Sequence, residues 1–255
     1  MIFNIILQDI CYPDFTYKQS CCRRQSMKGI CVFGDSVAKG VVFDEARQKY
    51  IHLKDNFISL TQKKLNIPFA NYSVFGATVS KGEQIMKRRA SSLGSFDYTI
   101  LEFGGNDCDL NWKAIADTPG EFHSAKTPMD QFENRYREMI SDARSRGLKP
   151  ILLTLPPLDP ARFFNWVSKD LNRESILRYI EGDINNIYKW HKEYNKIILR
   201  LASEENLPVI DIRSAIESQD NYSQYLCIDG MHPNEKGHQF IADYLTGSLR
   251  NMKLA

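Results

Sequence analysis

The sequence has little that would tie the protein to a membrane or to a polyanion. It contains no run of about 18 apolar residues, the length that a helix needs to cross a bilayer. Its 33 basic residues are nearly balanced by 31 acidic ones, which leaves a net charge of +2 over 255 residues. This balance does not indicate nucleic acid or an anionic membrane surface as a partner.

The sequence also lacks the marks of a metal site. Its 5 histidines form no His-x-His pair and no His-Glu-x-x-His motif. Those are the spacings that commonly place two imidazoles on one metal ion. We therefore expect chemistry that needs neither a metal nor another cofactor.

A secretory signal is not evident at the N terminus. The apolar stretch over residues 1–7 is short, has no basic region before it and is not followed by a small-residue cleavage site. The 6 cysteines could pair as disulfides in a secreted protein, but without a signal we expect reduced thiols. The sequence therefore favours a cytoplasmic location, with secretion as the alternative.

Residues 1–26 differ from the rest of the chain, because they show neither an amphipathic period nor turn residues that would separate elements. They form either an N-terminal extension, loosely attached or disordered, or a stretch ahead of a true start at Met27. Residues 27–255 contain no internal repeat and no low-complexity linker. With 43% hydrophobic content in the whole chain, we expect this part to form a single domain around one core.

Short apolar runs alternate with helical patterns along this domain. Because strands joined by helical crossovers must lie parallel, the alternation predicts an α/β three-layer sandwich with a five-stranded, parallel, flavodoxin-like sheet. In such sheets, ligands bind at the carboxyl ends of the strands. We expect strands near residues 31–33, 68–73, 98–103, 150–155 and 208–212, and helices near residues 57–66, 83–90, 128–146, 184–205 and 235–250.

Polar residues follow the first predicted strand and precede the last predicted helix. Ser36 ends the run Gly34-Asp35-Ser36, and a serine becomes a good nucleophile only beside a base. Asp229 and His232 lie three residues apart, so the acid can orient the imidazole while its other nitrogen faces the serine. The alternatives are an Asx turn at Asp35 and a simple cap of the last helix.

A third polar cluster is suited to stabilise negative charge. It is the segment Gly104-Gly105-Asn106-Asp107, in which the Asn106 amide can point at an oxyanion. The backbone N–H groups of Ser36 and Gly76 are candidate companions. The alternative for Asn106 is an Asx turn, the role we assign to Asp107, and Gly76 is also explained by a need for positive φ.

Together these residues resemble the SGNH hydrolase superfamily, the GDSL-type esterases and lipases. The matching blocks occur in family order as Gly34-Asp35-Ser36, Gly76, Gly104-Gly105-Asn106-Asp107 and Asp229-Gly230-Met231-His232-Pro233. The resemblance implies a nucleophile, base and orienting acid at Ser36, His232 and Asp229. It further implies an oxyanion hole formed by Ser36 N–H, Gly76 N–H and the Asn106 side chain. Val37 stands where the family usually has leucine.

The resemblance implies a serine esterase that hydrolyses a carboxylic ester, with a small acyl or carbohydrate-linked group, through an acyl-enzyme. An acyltransferase or a thioesterase with the same triad is one alternative. The other is a non-catalytic, flavodoxin-like binding module with phosphate at the Asp35-Ser36 loop. That module would leave Asp229 and His232 without a role, and the loop has few glycines for a phosphate. The natural ester and the oligomeric state stay open.

Two long connections, over residues 108–127 and 158–183, follow strand ends on the active side. We hypothesise that their aromatic residues form the wall of an acyl or sugar pocket; the alternative is that they only pack the connections onto the core. Cys108 has no matching base in the sequence, so we interpret it as a packing residue. The connections carry Trp112, Phe122, His123, Arg162, Phe163, Phe164 and Trp166.

Overall fold

The computed structural model of the chain describes residues 27–252, and the predicted extension over residues 1–26 lies outside them. The strands are β1 (Ile30–Gly34), β2 (Val41–Asp44), β3 (Lys49–His52), β4 (Phe69–Asn71), β5 (Tyr98–Glu102), β6 (Lys149–Leu153) and β7 (Val209–Ile210). Five of them form one parallel sheet in the order β4-β1-β5-β6-β7. This confirms the predicted α/β fold with its five parallel strands.

The side chains of β1 show why the sheet is covered on both faces. Cys31 and Phe33 contribute to the apolar cluster on one face, whereas Ile30 and Val32 contribute to the cluster on the other. Successive side chains of a strand point to opposite faces, so a strand buried on both sides reads as a continuous apolar run. The same rule explains the apolar runs of β5 and β6.

Between residues 27 and 252 the chain forms eleven α-helices, most of which cover the two faces of the sheet. They are α1 (Ser36–Lys39), α2 (Phe57–Leu65), α3 (Val79–Arg88), α4 (Ala90–Leu93), α5 (Trp112–Asp117), α6 (Met129–Ser145), α7 (Pro160–Val167), α8 (Arg173–Tyr179), α9 (Asn185–Glu204), α10 (Ile212–Glu217) and α11 (Glu235–Asn251). Helices α3, α6 and α9 pack on one face, and α1, α2, α10 and α11 on the other. None of the helices within residues 27–252 is long and apolar enough to cross a membrane.

The two long connections fold into helices of their own. Helix α5 lies in the first and helices α7 and α8 in the second, and they share an apolar cluster that includes Ile115, Phe163 and Ile176. This cluster is separate from the two on the faces of the sheet. The connections therefore form a small layer of their own beside the sandwich.

Two differences between the structure and the sequence expectation concern the surroundings of the polar segments. An antiparallel hairpin of β2 and β3 fills the segment after α1, where no element was predicted. Helix α3 begins at Val79, four residues earlier than expected, because both carboxylate oxygens of Asp107 accept its N–H at 3.1 Å. Asp107 thus caps a helix of a distant segment, whereas the role assigned to it from the sequence was an Asx turn.

His238 on α11 connects two helices of one face. Its side chain is fully buried and stacks on the Phe57 ring, with 5.7 Å between centroids. Its Nδ1 accepts the N–H of Phe57 at 3.4 Å, in the first turn of α2, where that N–H has no acceptor within its own helix. Burial, followed by the charge of His232, lowers the pKa of His238 to about 3.

We predict that this buried imidazole makes the protein less stable as the pH falls. Below about 6.5 the unfolded chain protonates the ring, whereas the native ring stays neutral until about pH 3. Stability therefore rises with pH across this window. His238→Asn keeps an acceptor for the Phe57 N–H and should abolish a loss of about 1.4 kcal/mol per pH unit.

Urea unfolding of both proteins at pH 7 and pH 5 measures this difference. Equal losses of unfolding free energy in the wild type and in His238→Asn would contradict the prediction.

Candidate active site

Ser36 is the first residue of α1, directly after the tight turn that ends β1. Asp35 caps the helix, because its Oδ1 accepts the Val37 N–H at 2.8 Å. The turn passes so close to β5 that a Cβ at Gly34 would lie 2.8 Å from Glu102 Oε2 and 2.7 Å from the Ala38 Cβ. A glycine is therefore required at position 34, two residues before Ser36. The run Gly-Asp-Ser alone, however, is also a common turn composition.

Glu102 supports this turn from the end of β5. Its Oε2 accepts the N–H groups of Asp35 and Ala38, both at 3.3 Å, and its side chain is fully buried. Burial and then the nearby charge of Asp35 raise the pKa of Glu102 well above its usual range. We conclude that Glu102 is the neutral partner of this buried pair. Sequence reasoning missed it, although a single acid within the run Tyr98–Phe103 was a visible signal.

Asn106 lies beside the same turn. Its Nδ2 donates one hydrogen bond to Asp35 Oδ2 at 2.9 Å, which leaves its second N–H for another acceptor. Asp35 thus orients the amide through one carboxylate oxygen while the other caps α1. The Asx turn considered as the alternative for Asn106 is not what holds this side chain.

His232 and Asp229 belong to one loop between the 3₁₀ helix Tyr222–Tyr225 and α11. His232 Nδ1 is 2.7 Å from Asp229 Oδ2, and its Nε2 is 2.8 Å from the Ser36 Oγ. Since a carboxylate only accepts, the proton of a neutral ring lies on Nδ1 and Nε2 accepts from the serine. The structure therefore brings the three predicted residues together in the order Ser36, His232, Asp229.

Asp229 is fully buried, yet four donors surround its carboxylate. Oδ1 accepts the N–H groups of Met231 and His232 at 2.9 and 3.1 Å, and Oδ2 accepts from His232 Nδ1 and from the Tyr50 hydroxyl at 3.1 Å. Burial raises the pKa of Asp229, but the hydrogen bond and charge of His232, together with the two amides, outweigh it and hold the pKa below its usual value. This carboxyl group is therefore ionised.

Tyr50 comes from the hairpin that the sequence did not predict. Its ring packs edge-on against the His232 ring, with 5.2 Å between centroids, while its hydroxyl reaches Asp229. Burial and then the Asp229 charge raise the pKa of Tyr50, so its hydroxyl remains a donor. The missed signal was a pair of β-rich runs, Val41–Asp44 and Lys49–His52, separated by four residues.

Gly76 lies opposite the turn and contributes to the same cavity as Ser36. Its φ of 72° is positive, which agrees with the conformational explanation for a glycine at this place. Within residues 27–252, no protein acceptor takes the N–H of Ser36 or of Gly76. Both amides are available to a bound group.

Cys108 is buried beside this cavity, and its Sγ donates to the Gly105 carbonyl at 3.2 Å. Burial and then the nearby charges of Asp109 and Asp107 raise its pKa well above the ordinary value. The group is therefore a protonated thiol, as a packing residue would be. Within the described part of the chain, no cluster of three or more His, Cys, Asp or Glu side chains is arranged to hold a metal ion.

A cavity of about 360 Å³ opens in front of Ser36 and His232. Four of the residues named on the two connections lie elsewhere, among them Phe164, which packs inside the layer of α5, α7 and α8, and Phe122, which is 89% exposed. His123 and Arg162 also lie outside the cavity. Its wall is largely aromatic and aliphatic, with Trp112, Leu155, Leu158, Phe163, Trp166, Ile187, Trp190 and Met231.

Comparison with known proteins places this chain in a defined group. A model described as the GDSL-like Lipase/Acylhydrolase family matches residues 32–240. A GDSL esterase/lipase of rice, Oryza sativa subsp. japonica, is 22% identical over 156 residues, which cover 59% of this chain. The chain spans about half of that relative, since the match covers 52% of the rice protein.

Two solved structures illustrate the likeness of fold. A lipase/acylhydrolase from Enterococcus faecalis has a TM-score of 0.65 at 20% identity, covering 89% of this chain and 97% of that one. A psychrotrophic esterase from a Pseudoalteromonas species has a TM-score of 0.59 at 13% identity, covering 89% and 100%. At these identities the structures show a shared fold.

The support that Glu102 gives to the serine turn predicts a contrast between two substitutions. Glu102→Gln retains an acceptor and removes the cost of keeping a carboxyl group neutral, so it should be at least as stable as the wild type at pH 7. Glu102→Leu leaves the Asp35 and Ala38 amides without an acceptor, at roughly 1–3 kcal/mol for each.

Urea unfolding at several pH values tests this contrast. The wild type should lose stability relative to Glu102→Gln as the pH rises above about 4.3, where the unfolded carboxyl ionises and the native one does not. A glutamine variant as unstable as the leucine variant would show that Glu102 acts as an ionised group.

Proposed function

The chain belongs to the GDSL-like lipase/acylhydrolase family, and we propose that it is an SGNH-type hydrolase that cleaves a carboxylic ester through an acyl-enzyme on Ser36. The observation that carries this proposal is the chain of two contacts from Ser36 through His232 to Asp229, at 2.8 and 2.7 Å. Membership of a hydrolase family also argues against the non-catalytic binding module.

In the proposed first step, Ser36 Oγ attacks the ester carbonyl carbon and its proton moves to His232 Nε2. The imidazolium that forms is stabilised by the ionised Asp229 carboxylate on its other side. His232 then gives the proton to the alkoxide as the bond from the carbonyl carbon to the alcohol oxygen breaks. Water repeats these steps on the acyl-enzyme, releasing the acid and restoring the Ser36 hydroxyl.

The tetrahedral intermediate carries negative charge on the former carbonyl oxygen. We assign its stabilisation to the N–H groups of Ser36 and Gly76 and to the second N–H of the Asn106 amide. The support is that both backbone amides lack a protein acceptor within residues 27–252, and that Asp35 uses only one hydrogen of Asn106. Donors fixed before the reaction cost no reorganisation when the charge develops.

The cavity supports an ester with a small acyl or carbohydrate-linked group. Its volume of about 360 Å³ and its largely apolar wall suit a compact, partly apolar substrate. The side chains of Trp112, Phe163 and Trp166 form part of that wall, in accordance with the pocket hypothesis for the two connections.

One prediction of the proposed function concerns the nucleophile. Ser36→Ala should lose labelling by a fluorophosphonate probe and lower the kcat for p-nitrophenyl acetate by at least about 10⁴-fold, because the attacking oxygen is absent. Cys108→Ala is the matched control, since it removes the neighbouring thiol and should still be labelled. If Ser36→Ala is still labelled, or if only Cys108→Ala loses labelling, the nucleophile is assigned to the wrong residue.

A further prediction concerns the Tyr50 hydroxyl, which the hairpin supplies as a donor to Asp229. Tyr50→Phe keeps the ring against His232 but removes one of the four donors to the Asp229 carboxylate, and hydrogen bonds to charged groups contribute about 1.5–3 kcal/mol. We expect kcat to fall about 10-fold with little change in KM, because the substrate side of the ring is retained.

Tyr136→Phe is the control for this prediction. It also deletes a tyrosine hydroxyl with a 3.1 Å hydrogen bond, to the Leu101 carbonyl in the core, and should leave kcat unchanged. If Tyr50→Phe raises KM instead and keeps kcat, the Tyr50 hydroxyl contributes to substrate binding and not to the orientation of Asp229.

A further inference from the structure

His191 is a polar residue in the otherwise largely apolar wall of the cavity. It lies on α9, on the same helix face as Ile187 and Tyr194, and only 7% of its surface is exposed. Its side chain contributes to the cavity that contains Ser36 and His232. None of the family motifs includes this residue, and the proposed mechanism does not use it.

The tautomer of His191 is fixed by its neighbour. Arg213 Nη1 is 2.9 Å from His191 Nδ1, and a guanidinium group has only donors, so Nδ1 must be the acceptor. The neutral ring therefore carries its proton on Nε2. Burial and then the Arg213 charge lower the pKa of His191 to about 3, which agrees with a neutral ring.

Arg213 is itself held in place. Its Nε lies 2.8 Å from Glu217 Oε1, its guanidinium packs over the Tyr188 ring at 4.7 Å, and it is 2% exposed. The Tyr188 hydroxyl donates to the same Glu217 oxygen at 2.5 Å. A buried, paired arginine of this kind fixes the imidazole in one orientation, with its Nε2–H as a pre-positioned donor.

Comparison with His238 shows that the Nε2–H of His191 is accessible. His238 Nε2 is fully enclosed and has no partner, so it faces only the core. His191 Nε2 also has no protein partner within residues 27–252, but it does not belong to the fully enclosed polar atoms. The residue lines the cavity, and its Nε2–H is neither bonded to the protein nor fully enclosed, so it is the donor that this side chain offers to a molecule bound there.

We propose that His191 determines substrate specificity by donating its Nε2–H to an uncharged oxygen of the substrate that lies outside the ester group. Esters of sugars and other hydroxylated alcohols carry such an oxygen, whereas simple alkyl esters do not. The inference rests on the proposed function, since it assumes that the ester binds in front of Ser36. It deepens that function by selecting hydroxylated esters from the compact esters that fit the cavity.

The substrate test compares two kinds of secondary acetate of similar size. Cyclohexyl acetate has no further oxygen, while methyl glucosides acetylated at one ring hydroxyl, tested one position at a time, offer several. Acetate release by the wild type should give a kcat/KM at least about 10-fold higher for one of the glucosides, the value of one good hydrogen bond. A wild type without any such preference overturns the proposal.

Two substitutions of His191 separate the donor from the Arg213 contact. His191→Asn places an acceptor near the position of Nδ1 and has no donor at the position of Nε2. His191→Gln reaches the position of Nε2 with an N–H and loses the Nδ1 acceptor. The preference for the glucoside ester should fall about 10-fold in the asparagine variant and be largely retained in the glutamine variant.

The measured quantity is the ratio of kcat/KM for the glucoside ester to kcat/KM for cyclohexyl acetate. A general loss of activity lowers both values and leaves this ratio unchanged. An unchanged ratio in His191→Asn, or an equal loss of ratio in both variants, overturns the proposal. Ser36→Ala in the same assay distinguishes failure of the proposed function from failure of this inference. Turnover that survives in Ser36→Ala refutes the assignment of Ser36 as the nucleophile. Turnover that needs Ser36 but shows no preference between the esters refutes only the role of His191.

Discussion

The site is organised by the need to supply a buried carboxylate with donors. Asp229 has no contact with solvent, and an ionised group in that position is tolerated only when hydrogen bonds replace its water. Its own loop supplies two amides and an imidazole, and the hairpin supplies the Tyr50 hydroxyl. The hydrogen bonds to this one carboxylate therefore connect the loop ahead of α11 to the hairpin after α1. They also hold the His232 imidazole against Ser36.

Two buried acids beside the serine and its base have opposite charge states, although burial raises the pKa of both. Asp229 stays charged because four donors face it, whereas Glu102 faces two amides at 3.3 Å and the nearby charge of Asp35. The first acid can stabilise a positive imidazole, and the second serves as a neutral support for a backbone turn. Comparable burial thus yields different chemistry, because the immediate partners differ.

The sequence was sufficient for whatever depends on local pattern. Apolar runs and helical periods identified the sheet, and short motifs identified Ser36, Asp229 and His232, which the fold brings together. Contributions from distant segments were not visible. Tyr50 acts through Asp229, 179 positions along the chain, and His191 owes its tautomer to Arg213 on another helix. A tyrosine in a short strand or a histidine on an apolar helix face carries no local mark of such a partner.

The separation of Ser36 from His232 by 196 positions has a consequence for how the protein is made. Synthesis runs from the N terminus, so the serine turn and the hairpin emerge long before the loop that carries the imidazole. A nascent chain holds the Ser36 hydroxyl without this base until a further 196 residues have been added. The two groups meet only when distant ends of the domain have closed on each other, a late event in folds with long-range contacts. Under the proposed mechanism, reactivity toward esters is therefore a reporter of completed folding.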